Sequence, residues 1–368
     1  MKRVLLLHLF LLSFCTAQHT NVVLPDGLKV CGGRMHVQGI AIDTARQCVY
    51  FSFTTSLIRT DYEGRVLGSV EHIPGHLGAI ALNTSDGSVY ASLEYKDDEI
   101  GRGIARQTGV ADYSRQNCTF SIAVFNGPAI TQEGMTMDDG VLRTVRLDDV
   151  ARDYCDSVYV GNSLLPHRYA CSGIDGICFA PAPGHKGGRK YLYVAYGIYG
   201  DTSRTDNDCQ VILRFNIDNW TADTRSARPE ARYFVPTGNT TYGVQNMAYD
   251  NVSGTLLLAV YRGSKPQYPN FDLYGVDLTK RARKAHVKGI PYEPNRVKTH
   301  RLTPHGEGDG PIHGWRYRWG STGLAPVDEG RFLLSENSRM SDGTQCCTLH
   351  LVHFTPDSIM PFSPAEGE

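Results

Sequence analysis

Gly39-Ile-Ala-Ile, followed nine residues on by Cys48-Val-Tyr-Phe-Ser-Phe, is the stretch that decides the fold. Apolar residues alternate with small or polar ones, and an Asp-Thr-Ala-Arg-Gln turn separates the two runs. This pattern predicts two half-buried antiparallel strands joined by a short turn. A third strand, Leu57-Ile-Arg-Thr-Asp, follows directly.

The same pattern returns four more times along the chain. The repeated strand pairs begin at Gly78 and Ser88, at Gly176 and Tyr191, at Gln245 and Thr255, and at Gly323 and Arg331. Third strands follow most of them, beginning at Phe120, Val211, Leu273 and Leu349. Strand sets that recur every ~40–50 residues are typical of a β-propeller.

Chain length sets the predicted number of blades. About 350 mature residues at ~50 residues per blade give seven blades. Five are the repeats above, and the other two are assigned to the regions near Met135–Tyr159 and Arg283–Arg301. No long segment with helical periodicity interrupts the pattern. We therefore expect an all-β, single-domain, seven-bladed β-propeller, with a β-sandwich as the alternative.

The first residues have the form of a secretory signal. Two basic residues precede an apolar run over 4–14, and Cys15-Thr-Ala supplies small residues for cleavage. The predicted division is a signal peptide over 1–17 and a β-propeller catalytic domain over 18–368, secreted or periplasmic. An outer-surface lipoprotein anchored through Cys15 is the alternative. No stretch is long and apolar enough for a transmembrane segment.

Composition narrows the classes of partner. Lys and Arg number 37 and Asp and Glu 38, a formal net charge of -1. This balance argues against a nucleic-acid partner. Removal of Cys15 leaves an odd number of cysteines, so at least one thiol stays free. The remaining cysteines show no CxxC spacing, which argues against a zinc site. The sequence does not determine which of them form disulfides.

Three histidines stand ahead of predicted inner strands. His36 shares one side of its strand with Gln38, His76 lies within Gly75-His-Leu-Gly, and His167 precedes Arg168 in the third repeat. Inner strands begin near the central channel, where a histidine can act as acid or base near neutral pH. The alternatives are an exposed histidine at a strand start and a turn histidine held by a backbone hydrogen bond.

The loop after the third repeat is dense in polar and aromatic residues. Tyr196 or Tyr199 could donate a proton or stack on a sugar ring, and Arg204 could bind a carboxylate through two hydrogen bonds. The run Asp206-Asn-Asp resembles a calcium loop weakly, so a structural calcium stays open and no other cofactor is expected. The alternative is a turn-rich loop held by side-chain hydrogen bonds.

A fifth segment, Ile312-His-Gly-Trp-Arg-Tyr-Arg-Trp, combines aromatic and guanidinium groups. His313 and Arg316 would suit a carbohydrate acid, with stacking for the ring and charge for the carboxylate. Cation–π packing between blades is the alternative. The chain lacks the GxSxG, P-loop, HExxH and dinucleotide-binding motifs. It also shows no obvious glycosidase pair of carboxylates.

Four motifs together resemble a known family. They are Met35-His-Val-Gln-Gly, Gly75-His-Leu-Gly, His167-Arg-Tyr-Ala-Cys-Ser-Gly-Ile-Asp-Gly and Tyr193-Val-Ala-Tyr-Gly-Ile-Tyr-Gly-Asp. They are similar to motifs of secreted seven-bladed propellers that act on terminal rhamnose linked to glucuronic acid. That family includes α-L-rhamnosidases of gut Bacteroidetes and related rhamnose–glucuronate lyases. The resemblance runs from about Leu24 to the C-terminus.

The resemblance implies two sites on opposite faces. A single catalytic histidine on the posterior face corresponds to His36. A lyase site on the anterior face corresponds to the set His76, His167, Arg168, Tyr196 and Arg204. The expected catalytic residues are thus His36, His76, His167 and Tyr196. The expected substrate-binding residues are Gln38, Arg168, Tyr199, Arg204, His313 and Arg316.

The function expected from these features is exo-acting removal of terminal L-rhamnose α-1,4-linked to glucuronic acid. The expected partner is therefore an acidic plant glycan of the arabinogalactan type. Two alternatives remain open. One is a rhamnose–glucuronate lyase acting by β-elimination, and the other is a non-catalytic propeller that binds glycan.

Overall fold

A computed structural model describes residues 23–108, 118–293, 295–308 and 310–365. The predicted signal peptide lies outside the described residues and stays a prediction. Within these ranges there are two short α-helices, α1 (Glu99–Thr108) and α2 (Asp148–Cys155). Neither these nor any other helix among the described residues is long and apolar enough to cross a membrane.

Strands are the predominant regular element of the described chain. In chain order they are β1 (Lys29–Cys31), β2 (Val37–Asp43), β3 (Cys48–Phe53), β4 (Ser56–Asp61), β5 (Val66–Val70), β6 (His76–Leu82), β7 (Val89–Tyr95), β8 (Thr119–Phe125), β9 (Leu142–Arg146), β10 (Ser157–Val160), β11 (Ser163–Pro166), β12 (Cys171–Pro181), β13 (Lys190–Ile198), β14 (Cys209–Phe215), β15 (Ala231–Pro236), β16 (Thr240–Asp250), β17 (Thr255–Arg262), β18 (Leu273–Asp277), β19 (Arg283–Ala285), β20 (Val297–Thr299), β21 (Leu324–Pro326), β22 (Arg331–Arg339), β23 (Gln345–Phe354) and β24 (Phe362–Pro364).

Five antiparallel sheets form five blades. They are β2–β5, β6–β9, β12–β15, β16–β18, and β21–β23 completed by β1. The inner strands β2, β6, β12, β16 and β21 pack in succession, and β21 returns to β2, so the ring closes. The all-β, single-domain propeller is confirmed, whereas the prediction of seven blades is wrong: the propeller has five.

The two extra blades are absent because their assigned regions supply no inner strand. The region over 135–159 holds β9, α2 and most of β10, which pairs only with β11 as a separate hairpin. The region over 283–301 forms the hairpin β19–β20, which joins the outer edge of the third blade beside β15. These insertions lengthen the chain per blade, so dividing length by a typical repeat overcounts the blades.

Glycines at the start of the repeats allow the inner strands to approach closely. A Cβ on Gly39 would lie 2.7 Å from the backbone nitrogen of Ile80 in the next blade. A Cβ on Gly176 would likewise lie 2.8 Å from a methyl group of Val244. The recurring glycine seen in the sequence therefore has a packing role around a narrow axis.

The last blade joins the two ends of the described chain. Strand β1 pairs with β23, and Cys31 and Cys346 face each other in that register and form a disulfide. The bond connects residues 315 positions apart, so it holds the ring of blades closed. Among the described residues the remaining cysteines are free thiols.

The start of each inner strand lies at the same face as the end of the second strand of its blade. Val37 pairs with Phe53, His76 with Glu94, and Thr240 with Arg262. We call this the upper face. It carries most of the polar residues singled out in the sequence.

Candidate functional site

A cluster of ionisable side chains lies where the inner strands meet at the upper face. We call it the axial cluster, and its members are His36, His76, Glu94, Lys96 and Asp175. His76 Nδ1 lies 3.4 Å from Glu94 Oε1, and Lys96 Nζ lies 2.5 Å from the same oxygen. Glu94 and Lys96 are almost completely buried. Charges removed from water in this way require partners, and these three groups satisfy one another.

Backbone groups of β12 fix the cluster across two blades. The second carboxylate oxygen of Glu94 accepts the N–H of Ile174 at 3.0 Å. Lys96 Nζ donates to the carbonyl of Ser172 at 2.7 Å. The cluster is therefore held by three strands, β6, β7 and β12, which gives it little freedom to rearrange.

Asp175 is the least satisfied member of the axial cluster. Asp175 is only 8% exposed, and its Oδ1 has no hydrogen-bond partner among the described residues. Gly78 leaves room for it, since a Cβ there would lie 2.4 Å from Asp175 Oδ1. Burial raises the pKa of Asp175 to about 7, although the charge of His76 opposes the shift. A buried polar atom without a partner is unusual and often marks a functional site.

The two histidines have pKa values shifted in opposite directions. Burial lowers the pKa of His36, and the nearby charge of His76 lowers it further. Burial also lowers the pKa of His76, but the hydrogen bond to Glu94 and the charges of Asp175 and Glu94 outweigh it. The pKa of His76 is therefore raised. Near neutral pH, His36 is the neutral histidine and His76 the more readily protonated one.

Hydrogen bonds orient the His36 ring. Its Nδ1 lies 2.7 Å from the carbonyl of Val37, so Nδ1 carries the proton and Nε2 the lone pair. The amide of Gln38 lies 3.4 Å from that Nε2 and donates to Thr54 at 3.0 Å. His36 and Gln38, which were expected to share one side of the strand, are thus in direct contact.

The expected separation of His36 and His76 onto opposite faces is not found. His36 immediately precedes β2 and His76 begins β6, and these are neighbouring inner strands that start at the same upper face. The two rings are close enough for the charge of one to affect the other. One site, not two, contains both histidines.

A second group of predicted residues connects to the axial cluster through Asp98. Tyr199 donates its hydroxyl proton to Asp98 Oδ2 at 2.9 Å, and Lys96 Nζ lies 3.7 Å from the same oxygen. The ring of His167 packs between Tyr154 and Tyr199, with centroids 4.5 and 5.1 Å away. His167 and Tyr199 therefore lie beside the cluster.

Tyr196 belongs to the scaffold beneath the upper face. Its side chain has no exposed surface, and its hydroxyl donates to Asp153 at 2.8 Å. Arg232 donates to both that hydroxyl and Asp153. Burial raises the pKa of Tyr196 well above its ordinary value. The predicted catalytic tyrosine is thus enclosed by protein partners and does not line the axis.

The two predicted substrate-binding arginines of this region are also held by protein groups. Arg204 is buried and makes two hydrogen bonds to Asp206, each 2.8 Å. Arg168 is partly exposed and pairs with Glu293 at 2.7 Å and with Asp156 at 3.3 Å. Both arginines bind carboxylates as predicted for their chemistry, but these carboxylates belong to the chain itself.

The run Asp206-Asn-Asp binds cationic side chains of the protein. Asp206 takes the Arg204 guanidinium, while Lys265 Nζ lies 2.7 Å from Asn207 Oδ1 and 2.5 Å from Asp208 Oδ1. The Lys265 ammonium thus contacts the same side-chain oxygens of Asn207 and Asp208 that a calcium ion would need as ligands. In the described ranges no group of three or more His, Cys, Asp or Glu side chains is arranged to hold a metal ion.

His313 and Arg316 lie at the outer edge of the fourth blade. Trp315 bridges to Leu273 of β18, which places this segment on the far side of the blade from the axis. Arg316 donates to the carbonyl of Pro269 at 2.9 Å and its guanidinium lies 5.5 Å from the ring of Phe271. This cation–π contact lies within the fourth blade, whereas the alternative expected one between blades, and neither residue joins the axial cluster.

Three members of the cluster were missed in the sequence. Glu94 and Lys96 end an otherwise apolar strand, and the alternation of a strand places them on one side. Charged residues at the end of a buried strand were the available signal. Asp175 lies between Ile174 and Gly176 at the start of a repeat, where the other repeats carry no acid.

Aromatic residues of the fourth blade border the cluster. Tyr261 near the end of β17 is largely buried, and burial raises its pKa to about 12, with the charge of Asp175 adding to the shift. Tyr242 is 43% exposed at the start of β16 and has a positive φ of 62°. Non-glycine residues rarely adopt this conformation, and such strain is concentrated at functional sites.

Comparisons with known proteins find only distant structural similarities. No protein-family model matches the chain, and no curated protein matches it. The chain is similar to the solved structure of U3-55K, with 10% identity, a TM-score of 0.36, and coverage of 93% of this chain and 85% of that chain. It is similar to the holo form of the pyranose dehydrogenase PQQ domain from Coprinopsis cinerea, with 12% identity, a TM-score of 0.34, and coverage of 84% and 81%.

The WD40 repeats of RRP9 are a third similar structure, with 10% identity, a TM-score of 0.34, and coverage of 94% of this chain and 85% of that chain. The five-bladed architecture rests on the strand pairing of this chain and not on these similarities.

Proposed function

We propose that this propeller is an exo-acting glycan hydrolase that removes terminal L-rhamnose linked to glucuronic acid. The observation that carries the proposal is the pair of neighbouring histidines with oppositely shifted pKa values at the axis. Titratable groups whose surroundings push their pKa values apart are typical of an acid and a base in one active site.

Each histidine has a defined part in the proposed reaction. His76, whose pKa is raised by its hydrogen bond to Glu94, gives its proton to the glycosidic oxygen as the bond to the rhamnose carbon breaks. His36 accepts a proton from the attacking water at Nε2, and the water oxygen forms the new bond to that carbon. One proton is given and one is taken, so the products are rhamnose and a glucuronate with a free hydroxyl.

The charge of the axial cluster suits an acidic substrate. Lys96 and protonated His76 are two cationic groups, and Glu94 and Asp98 are the carboxylates that face Lys96. A cationic group at the upper face favours binding of a glucuronate carboxylate there. The exposed ring of Tyr242 offers an apolar surface for a sugar ring at the border of the same site.

Hydrolysis is supported more strongly than β-elimination. The residues expected for the lyase include Tyr196 and Arg204, and both are buried and engaged by protein partners. The motif resemblance supports the rhamnose–glucuronate substrate, although that family has seven blades and this chain has five. A non-catalytic glycan binder would give no reason for an unpartnered Asp175 oxygen beside two histidines of shifted pKa.

Substitution Asp175→Asn should weaken a pH dependence near neutrality. In the wild type, Asp175 ionises as the pH rises through about 7, which adds a negative charge beside the substrate carboxylate. We expect KM for a rhamnose-capped glucuronoglycan to rise across that range in the wild type and to rise less steeply in the variant, where only His76 loses its charge. Initial rates measured from about pH 5 to pH 9 test this. An equal rise of KM in both proteins would contradict the assignment.

A further inference from the structure

A large groove lies between the third and fourth blades and extends along their outer edges. Its volume is about 1490 Å³, and its lining includes much of the β19–β20 hairpin and the segment after β18. The lining contains the basic residues Lys280, Arg281, Arg283, Lys284, Lys288 and Arg301. All six side chains are exposed.

These basic side chains have no acidic partners among the described residues. None of them forms a salt bridge with a described carboxylate, whereas most arginines elsewhere in the chain do. Two carboxylates line the groove, and both are engaged. Asp208 accepts from Lys265 and Tyr268, and Asp277 accepts from Thr279. The groove is therefore strongly positive in a chain whose formal net charge is -1.

The strand register concentrates this charge further. Lys284 and Lys298 are directly opposite each other across β19 and β20. Like charges at such a position destabilise a strand pair. Lys298 does not line the groove, and its ammonium lies 5.9 Å from the centre of the Tyr233 ring. An anion bound beside Lys284 would offset the remaining repulsion.

The floor of the groove contains an unpartnered polar group. His300 is 5% exposed, lines the groove, and its Nε2 has no hydrogen-bond partner in the described chain. Its ring packs against Tyr233, with centroids 5.0 Å apart. Burial lowers the pKa of His300 to about 4, so the ring is neutral and, according to its tautomer, Nε2 can accept a hydrogen bond from a hydroxyl or donate one to an oxygen.

We propose that this groove is a non-catalytic binding site for an extended acidic polysaccharide, with carboxylates on the lysine and arginine side chains and a sugar hydroxyl on His300. The Cys31–Cys346 disulfide favours an oxidising compartment, where acidic glycans are abundant and nucleic acids are not usual ligands. No member of the axial cluster lines the groove, so binding here does not depend on the proposed hydrolysis.

The test is binding of polygalacturonate, an acidic polymer without rhamnose caps, measured by isothermal titration or affinity electrophoresis. The wild type should bind it and should not bind a neutral dextran of similar length. Replacing Lys280, Lys284 and Lys288 with alanine should weaken binding about tenfold or more, and added salt should weaken wild-type binding steeply. The matched control removes three exposed basic residues outside the groove, Lys29, Arg106 and Arg339, and should bind as the wild type does.

Several outcomes would overturn the proposal. Equal weakening in the two triple variants would show that general charge, and not the groove, attracts the polymer. Binding of dextran with equal affinity would exclude a charge-based site, and tighter binding of single-stranded RNA than of polygalacturonate would favour a different ligand class.

The variant His300→Phe keeps an aromatic ring but has no ring nitrogen. Unchanged affinity in this variant would contradict the assigned contact between His300 and a sugar hydroxyl. Hydrolysis of rhamnose-capped glycan by the triple variant at the wild-type rate is expected, so failure of this proposal is distinguishable from failure of the proposed function.

Discussion

Substitution His36→Ala is expected to slow the release of rhamnose from a rhamnose-capped glucuronoglycan by about 10²–10⁴-fold, the usual contribution of a general base or acid. The loss should fall on kcat, because the imidazole Nε2 acts on the attacking water and not on substrate binding. Substitution His76→Gln should give a loss of similar size. Purified variants are compared by initial rates of free rhamnose release.

The matched control is His185→Ala. His185 is an exposed histidine in the turn between β12 and β13, at the face opposite the axial cluster. We expect this variant to retain the wild-type rate. If His36→Ala and His185→Ala release rhamnose equally fast, His36 is not the base. A double variant that combines His36→Ala with His76→Gln tests whether the two residues act together. If they form one acid–base pair, its loss of rate should be smaller than the product of the two single losses.

Replacing both Cys31 and Cys346 with serine should lower the free energy of unfolding by about 3–5 kcal/mol. The disulfide joins β1 to β23 across 315 positions, so its removal frees a very long loop in the unfolded chain and unlocks the last blade. Urea unfolding followed by tryptophan fluorescence gives the measurement. A reducing agent should destabilise the wild type by a similar amount and leave the double variant unchanged.

Cys155→Ser is the control for this experiment, because Cys155 is an exposed free thiol at the end of α2. It should unfold at the wild-type urea concentration. A double variant that also unfolds there would show that strand pairing alone closes the ring.

The strands of the propeller were largely predictable from the sequence, and the number of blades was not. All five repeats recognised by alternation became blades, because alternation and glycine position reflect burial directly. Blade number follows from how many inner strands close around the axis, and this depends on which segments are insertions. The hairpin β19–β20 has strand-like alternation but pairs at a blade edge, which no local pattern reveals.

The candidate site was predictable only in part. His36 and His76 were found because each stands ahead of an inner strand. Asp175 was missed because the charged and polar groups around it belong to two other blades. These groups come close to it only in the folded ring. The opposite error arose at Tyr196 and Arg204, where residue types suited to substrate chemistry are used instead to satisfy buried charges. Sequence shows which chemistry a side chain can perform, and burial decides whether a ligand can reach it.

The most direct test of the central claim, catalysis by the axial cluster, is product analysis after incubating the purified protein with a rhamnose-capped arabinogalactan. We predict free L-rhamnose together with a saturated glucuronate end, and no rise in ultraviolet absorbance. Absorbance from an unsaturated uronate would contradict hydrolysis and favour elimination. Tight binding of the glycan with no released sugar after prolonged incubation would contradict the assignment of His36 and His76 as base and acid.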